Sequence, residues 1–161
     1  MIALTRKSDY ALIALSHLAQ ARDGLSSARE IADRHKVSLP LLMNILKQLT
    51  RAGVVESVRG ARGGYRLVVN AEEMSLGELI GIVEGPVRLV QCADVNAHPK
   101  CDRMLDCPVR SPVLRVNRRL KQFLAEVPLA EIIGRPASEV APSGQPVEDG
   151  ISEPNDPGVS G

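Results

Sequence analysis

Tryptophan is absent from this chain of 161 residues, phenylalanine occurs once and tyrosine twice. Rings this scarce leave little with which to line a substrate pocket. No pocket motif accompanies them, and an enzyme is not expected. Long apolar runs are missing too. Nothing approaches the roughly 18 consecutive apolar residues of a membrane span, so no membrane partner is expected. The first ten residues carry Arg6, Lys7 and Asp9 where a secretory leader needs an apolar stretch, which predicts a cytoplasmic protein. Cysteine is limited to three. Three thiols cannot all pair within one chain, and a reducing cytosol disfavours a disulfide framework.

The net charge is only +1, but it is unevenly spread. Between Arg29 and Arg66 eight bases stand against three acids, whereas residues 134–161 hold one base, Arg135, against five acids. The basic segment is where a polyanion would bind. The acidic end is rich in proline, glycine and serine and is expected to be disordered.

Residues 8–21 read as a helix. Tyr10, Ile13, Ala14 and Leu18 form one apolar stripe, and Ala11, Leu12, Leu15 and Ala19 make the other side apolar as well. A helix apolar nearly all round is buried from two directions. In so small a chain this predicts one face on its own core and one on a partner chain. Ser27 and Glu30 are spaced as a capping box, opening a short helix to about His35. After a turn at Lys36 and Val37, Ser38 is placed to cap a third helix, with Pro40 in its first turn and Gly53 as its stop. Leu42, Ile45, Leu46 and Leu49 recur as a buried stripe. Leu41, Asn44, Lys47, Gln48 and Arg51 are left outside. Two short helices joined by a tight turn, the second with a polar outer face, form a helix-turn-helix.

Residues 54–58 alternate as a strand, residues 59–64 form a turn-rich loop, and residues 65–69 return as a second strand. The hairpin carries Arg59 and Arg62 at its tip, with Tyr65 beside them. A helix-turn-helix followed by a basic hairpin is a winged helix, an arrangement that points to double-stranded DNA. Asn44 and Gln48 suit adenine edges, and Lys47 suits a guanine or a phosphate. Ser27, Ser38 and Arg51 are placed for phosphates, and Arg59, Arg62 and Tyr65 for wing contacts. The wing glycines would allow the backbone to approach a phosphate closely. A second capping box, Ser75 with Glu78, opens a helix that Gly85 and Pro86 end.

All three cysteines fall in one stretch, Cys92, Cys101 and Cys107, spaced C-x8-C-x5-C with His98 between the first two. Thiolates this close suit a soft metal or an iron–sulfur cluster. His98 is chemically competent as a fourth ligand, Asp102 and Asp106 lie nearby, and a Cys3His structural zinc site is one alternative. A metal-free thiol redox switch is another. Ser111 and Pro112 signal the start of the last long helix, with the serine as cap. Val113, Val116, Leu120, Phe123 and Val127 recur at spacings of 3, 4, 3 and 4, a seam for another helix. No later helix in the chain is available to meet it, so a homodimer is expected, with Leu129–Ile133 adding one helical turn.

The expected fold is therefore mostly α with a small β-hairpin wing. A winged helix-turn-helix DNA-binding domain occupies residues 1–85, a cysteine cluster-binding loop 86–110, a dimerisation helix 111–133, and a disordered acidic tail 134–161.

Several short motifs go further. They are Leu4-Thr5, Asp9-Tyr10-Ala11, Ser38-Leu39, Ser57-Val58-Arg59-Gly60, Gly63-Gly64-Tyr65 and the cysteine triplet. In this order, over residues 1–133, they resemble the IscR-type family of iron–sulfur-cluster transcription regulators, which includes nitric-oxide-sensing and iron-responsive repressors. The resemblance implies a homodimer on a palindromic operator, with DNA affinity set by a 2Fe-2S or 4Fe-4S cluster. It also implies a regulator that senses redox stress, nitric oxide or iron–sulfur status. The first cysteine gap of eight is longer than in many members. Some members place a histidine ligand three residues after the last cysteine, where this chain has Arg110, which cannot ligate. Others take an acidic residue of the first helix from the partner subunit, and Asp9 occupies that place, with His98 as the alternative.

Overall fold

The computed structural model describes residues 4–21, 23–60, 62–90, 93 and 106–134. Cys92, His98, Cys101 and the acidic tail beyond Gly134 lie outside those residues. Among the described residues nine elements follow one another: α1 (Arg6–Gln20), β1 (Leu25–Ser26), α2 (Ala28–His35), α3 (Leu39–Arg51), β2 (Val55–Val58), β3 (Gly64–Leu67), α4 (Leu76–Glu84), α5 (Arg110–Glu126) and α6 (Leu129–Ile133).

Local chemistry explains most of the boundaries. The Thr5 hydroxyl accepts from the Lys7 N–H at 3.1 Å, so α1 begins two residues before its apolar pattern does. Both capping boxes close. Ser27 Oγ accepts from the Glu30 N–H at 3.1 Å, and the Glu30 carboxylate accepts from the Ser27 N–H at 3.3 Å. The same pair of bonds joins Ser75 and Glu78 at 3.2 and 2.8 Å. Each satisfies amides that a helix start would otherwise leave bare. At the start of α3, Pro40 sits where a missing N–H costs little, and Ser38 precedes the helix without a side-chain cap bond. Gly53, at a φ of 73°, turns the chain from α3 toward β2.

One apolar cluster joins α1, α2, α3, α4, α6, β2 and β3. At its centre lies α1, with Ala11, Ala14 and Leu15 fully buried, and α2, α3, α4, α6 and β3 all pack against it. α4 and α6 of its own chain pack on α1, while its Tyr10, Leu12 and Ile13 stay half-buried. Leu42, Ile45, Leu46 and Leu49 of α3 enter the same cluster, each at most 1 % exposed. Burying a side chain of this size contributes about 1.5–3 kcal/mol.

The sheet has three antiparallel strands in the order β1-β3-β2. β1 was not expected: it is two residues long, and its partners Tyr65 and Arg66 lie forty residues on. Its pairing explains the wing glycines. A Cβ on Gly64 would stand 2.5 Å from the Ser26 carbonyl oxygen, and one on Gly63 would stand 2.6 Å from that of Val58. Gly64 lets β1 approach β3, and Gly63 lets the tip turn close on Val58 and Gly60, the latter at a φ of 132° with open space around it.

The last long helix also differs from expectation at its start. Val109, not Ser111, is its N-cap residue. The Arg110 N–H bonds the Cys107 carbonyl at 3.3 Å and the Val113 N–H bonds that of Val109 at 3.0 Å, so the winding begins before the serine. α5 packs on α4, where a Cβ on Gly77 would lie 3.1 Å from the Leu124 carbonyl. Asn117 is buried within α5, its Oδ1 accepting from the Leu89 N–H at 2.8 Å. The 3-4-3-4 seam is thus divided. Val113 and Leu120 are half-buried, whereas Val116 and Phe123 are 54 % and 59 % exposed. Beyond α5 the chain returns to the core: Leu76 N–H bonds Val127 C=O at 2.8 Å, Leu129 N–H bonds Met74 C=O at 2.7 Å, and Leu129 and Ile133 are buried.

Two substitutions test this packing by urea unfolding. Leu129→Ala is expected to cost about 2–5 kcal/mol, because α6 then leaves a cavity beside α1. Gly64→Ala is expected to cost about 1–3 kcal/mol, because the added carbon meets backbone that cannot rotate away. Stability unchanged in both would mean that neither α6 nor β1 belongs to the folded core.

Candidate nucleic-acid interface and metal-ligating residues

The buried stripe of α3 fixes the direction of its other face. Ser38, Asn44, Lys47, Gln48 and Arg51 are all exposed. The Ser38 N–H is taken by Tyr10 Oη at 3.5 Å, but its hydroxyl makes no cap bond and remains free to donate to a phosphate. Leu41 is placed differently: it is half-buried and packs against the core edge. Met43 was not singled out by sequence, because an apolar residue beside an apolar stripe carries no distinct signal. It is 40 % exposed next to Asn44, and its thioether end suits a thymine methyl.

In the wing, Gly63 N–H bonds Gly60 C=O at 3.0 Å and closes the tip turn. Arg59 and Arg62 flank that turn, and both are exposed. Arg66 is occupied at the back of the hairpin, paired with Glu56 at 3.2 Å across the β2–β3 register. Tyr65 is half-buried in the central strand and packs on the core, away from the tip. Ser27, at the start of α2, accepts the capping bond but keeps its own hydroxyl proton for a phosphate. Beside it Ser26 and Ser27 donate to Glu30, and these bonds hold its carboxyl below the usual range.

Of the candidate metal ligands, Asp9, Asp106 and Cys107 are among the described residues, and Asp102 is not. Cys107 carries a free thiol and is half-buried just ahead of α5. Three residues on, Arg110 Nε is buried with no hydrogen-bond partner among the described residues. A guanidinium N–H cannot ligate iron but suits a thiolate or sulfide acceptor, so the donor left over here fits a sulfur-rich anion. Asp9 is exposed in the first turn of α1 and makes no side-chain hydrogen bond or ion pair among the described residues. Those residues contain no grouping of three His, Cys, Asp or Glu that could hold a metal.

A carboxylate joins the two regions. Glu84, the last residue of α4, accepts from the hydroxyls of Thr5 and Ser8 and from the Ser8 N–H. Burial works to raise its pKa, but these three hydrogen bonds hold it below the ordinary value. The chain leaving α4 toward the cysteines is thus fastened to the turn of α1 that carries Asp9.

Residues 4–135 match the Rrf2 family, described as an iron-dependent transcriptional regulator. The chain is 33% identical over 146 residues to an rrf2-like putative HTH-type transcriptional regulator of Rhodobacter capsulatus, spanning 85% of this chain and 97% of that protein. It is 30% identical over 131 residues to the HTH-type transcriptional regulator IscR of Photobacterium profundum, spanning 81% and 74%. Among solved structures it is similar to CymR, the global cysteine regulator of B. subtilis, with a TM-score of 0.64 at 26% identity, covering 83% of this chain and 97% of that one.

Arg62→Ala is expected to weaken binding to all duplexes about equally and to flatten the salt dependence by about one unit of slope. Gln48→Ala is expected instead to relax base preference by about 1–3 kcal/mol at one position. Anisotropy titrations against random and selected duplexes at several salt concentrations separate the two. Equal loss and equal slope change in both variants would dismiss the division between reading helix and wing.

Proposed function

This chain belongs to the Rrf2 family of transcriptional regulators, and from that premise we propose a homodimeric cytoplasmic repressor that binds a palindromic operator and responds to redox stress, nitric oxide or iron–sulfur status through an iron–sulfur cluster. The observation that carries the DNA-binding part is the two-sidedness of α3. Leu42, Ile45, Leu46 and Leu49 lock it to the core while Asn44, Lys47, Gln48 and Arg51 stand free. Bases can then be read without unpacking the helix.

Support for the dimer comes from α5. Val109, Val116 and Phe123 recur every seven residues, and all three are more than half exposed. An apolar heptad stripe on an exposed helix is the pattern that a second copy covers. Pairing through α5 would hold two reading heads at half-sites about one helical turn apart, roughly 34 Å.

Cys92, Cys101 and Cys107 would hold the cluster as thiolates, with the partner subunit's Asp9 as fourth ligand and His98 as the alternative. When bound, the cluster supplies a group whose iron reacts with oxidants or nitric oxide. The chain's own residues supply the linkage. Arg110 offers its unused Nε–H to a sulfur acceptor, and Cys107 adjoins the first turn of α5. Glu84 ties the other end of the segment to α1. Rearrangement between residues 86 and 110 would therefore move α5 against α1 and alter the spacing of the reading heads.

Anaerobic purification with iron and acid-labile sulfide analysis tests the cofactor. Wild type is expected to be coloured and Cys101→Ala colourless, both remaining folded dimers. Zinc without sulfide would replace the cluster with a structural site, and metal-free protein would leave a thiol switch. Phe123→Glu is expected to yield monomers in sedimentation with unchanged helical circular dichroism. A Phe123→Glu dimer would remove α5 from the interface.

A further inference from the structure

Behind the reading helices, four side chains form one hydrogen-bonded line. His35 Nε2 lies 3.0 Å from His17 Nδ1, His17 Nε2 lies 3.0 Å from Ser26 Oγ, and Ser26 Oγ donates to Glu30 Oε2 at 2.9 Å. The direction of every bond follows from the last one. Ser26 has a single hydroxyl proton and gives it to Glu30, so toward His17 it can only accept. His17 must then carry its proton on Nε2 and present a lone pair at Nδ1. His35 fills that lone pair with its own Nε2–H. The rings meet edge to face, with centroids 5.2 Å apart and planes at 83°.

These residues sit at joints. His35 is the last residue of α2, and the turn into α3 begins at Lys36, whose φ of 56° is left-handed. Ser26 is buried in β1, paired with Tyr65 of the wing strand β3. Glu30 closes the capping box of α2. His17 belongs to α1, on which the whole fold packs. The line therefore fastens α2 at both ends, and the wing sheet, to the central helix.

We propose that the His17–His35 pair makes DNA binding proton-sensitive, holding the reading head in register when it carries at most one added proton and releasing it when it carries two. This inference rests on the DNA-binding reading, not on the cluster. A first proton is accommodated: it enters at His17 Nδ1, and the exposed His35 ring shifts its own proton to Nδ1 and accepts. A second proton leaves two N–H groups pointing at each other, and like charges then force the rings apart. The charged groups around the pair add to this. Arg34 on α2 opposes protonation of His17 and Glu30 favours it, and Asp23 lines the same hollow. His17 itself is held below its ordinary value of 6.5, first by burial and then by His35 and Arg34, with Glu30 opposing. A lowered histidine contributes stability that is complete above the ordinary value and declines as pH falls below it.

The sign of the effect separates this device from simple electrostatics. Added positive charge alone would strengthen binding to a polyanion; loss of register weakens it. The test is fluorescence anisotropy of the full chain with a labelled random-sequence duplex of about 30 base pairs, long enough for two half-sites one turn apart. It is run at constant salt from about pH 7.5 to about pH 5.5, the range in which imidazole titrates. Wild-type affinity is expected to fall on the order of tenfold, the equivalent of one pKa unit. His35→Gln, whose amide can donate to His17 without titrating, is expected to keep the neutral affinity and lose most of the fall. Imidazole nitrogen shifts are expected to show His17 and His35 titrating as a coupled pair. The same fall in His35→Gln, a rise in wild-type affinity in acid, or two rings titrating independently would each overturn the inference. A wild type that binds with a flat pH profile removes this inference alone. A wild type that binds no duplex at neutral pH removes the DNA-binding reading and this inference with it.

Discussion

An alanine-rich helix that is apolar on nearly every side can be kept from water only by surrounding it. That constraint organises the molecule. Small side chains at Ala11 and Ala14 let neighbouring helices come close, and Leu15 and Leu18 fill what remains. Five elements converge on α1, including α6, which lies more than a hundred residues away in sequence. The reading helix, the wing strand and the return from α5 are therefore all referred to one axis. Any shift of α1 is felt by each of them, because close-packed interiors transmit displacement and do not absorb it.

Polar side chains then fix the pieces along that axis. Glu84 bonds the first turn of α1 where the cysteine segment leaves α4, and Asn117 bonds the Leu89 backbone midway along α5. Both hold the segment's flanks by hydrogen bonds to another element: exposed Glu84 reaches the buried Ser8, and buried Asn117 reaches the half-buried Leu89. The His17 line acts at the opposite end of α1. One helix thus carries a fastening to the cysteine side and another to the reading side. That is the arrangement a regulator needs if events at one site are to reach the other.

The proposed pairing through α5 would impose a second demand on the same structure. The helix must show an apolar stripe outward and still pack on α4. It meets both demands by dividing its apolar residues. Leu120 and Leu124 are half-buried and line a hollow with Ile80 and Leu89, while Val109, Val116 and Phe123 stay outside. The return of the chain through Val127 and Leu129 prevents α5 from detaching, so whatever binds its outer face also engages the winged-helix core.

What the sequence could determine was whatever depends on near neighbours. The two capping boxes each join residues three apart, and the buried stripe of α3 runs from Leu42 to Leu49. Their bonds close within one or two turns, and so they were legible without the fold, as was the basic hairpin after them. The tertiary structure decided whatever depends on distant partners. β1 is too short to show a pattern and exists because β3 pairs with it. Gly63 and Gly64 look like a tip built for phosphate but are required by carbonyls at Val58 and Ser26. Leu41 and Tyr65 share a face or a loop with exposed residues, and only packing showed them turned toward the core. His17 and His35 are separated by eighteen residues with no motif between them, and two helices had to cross before their nitrogens met. Periodicity reports which side of an element avoids water; it carries no information on which other element provides the cover.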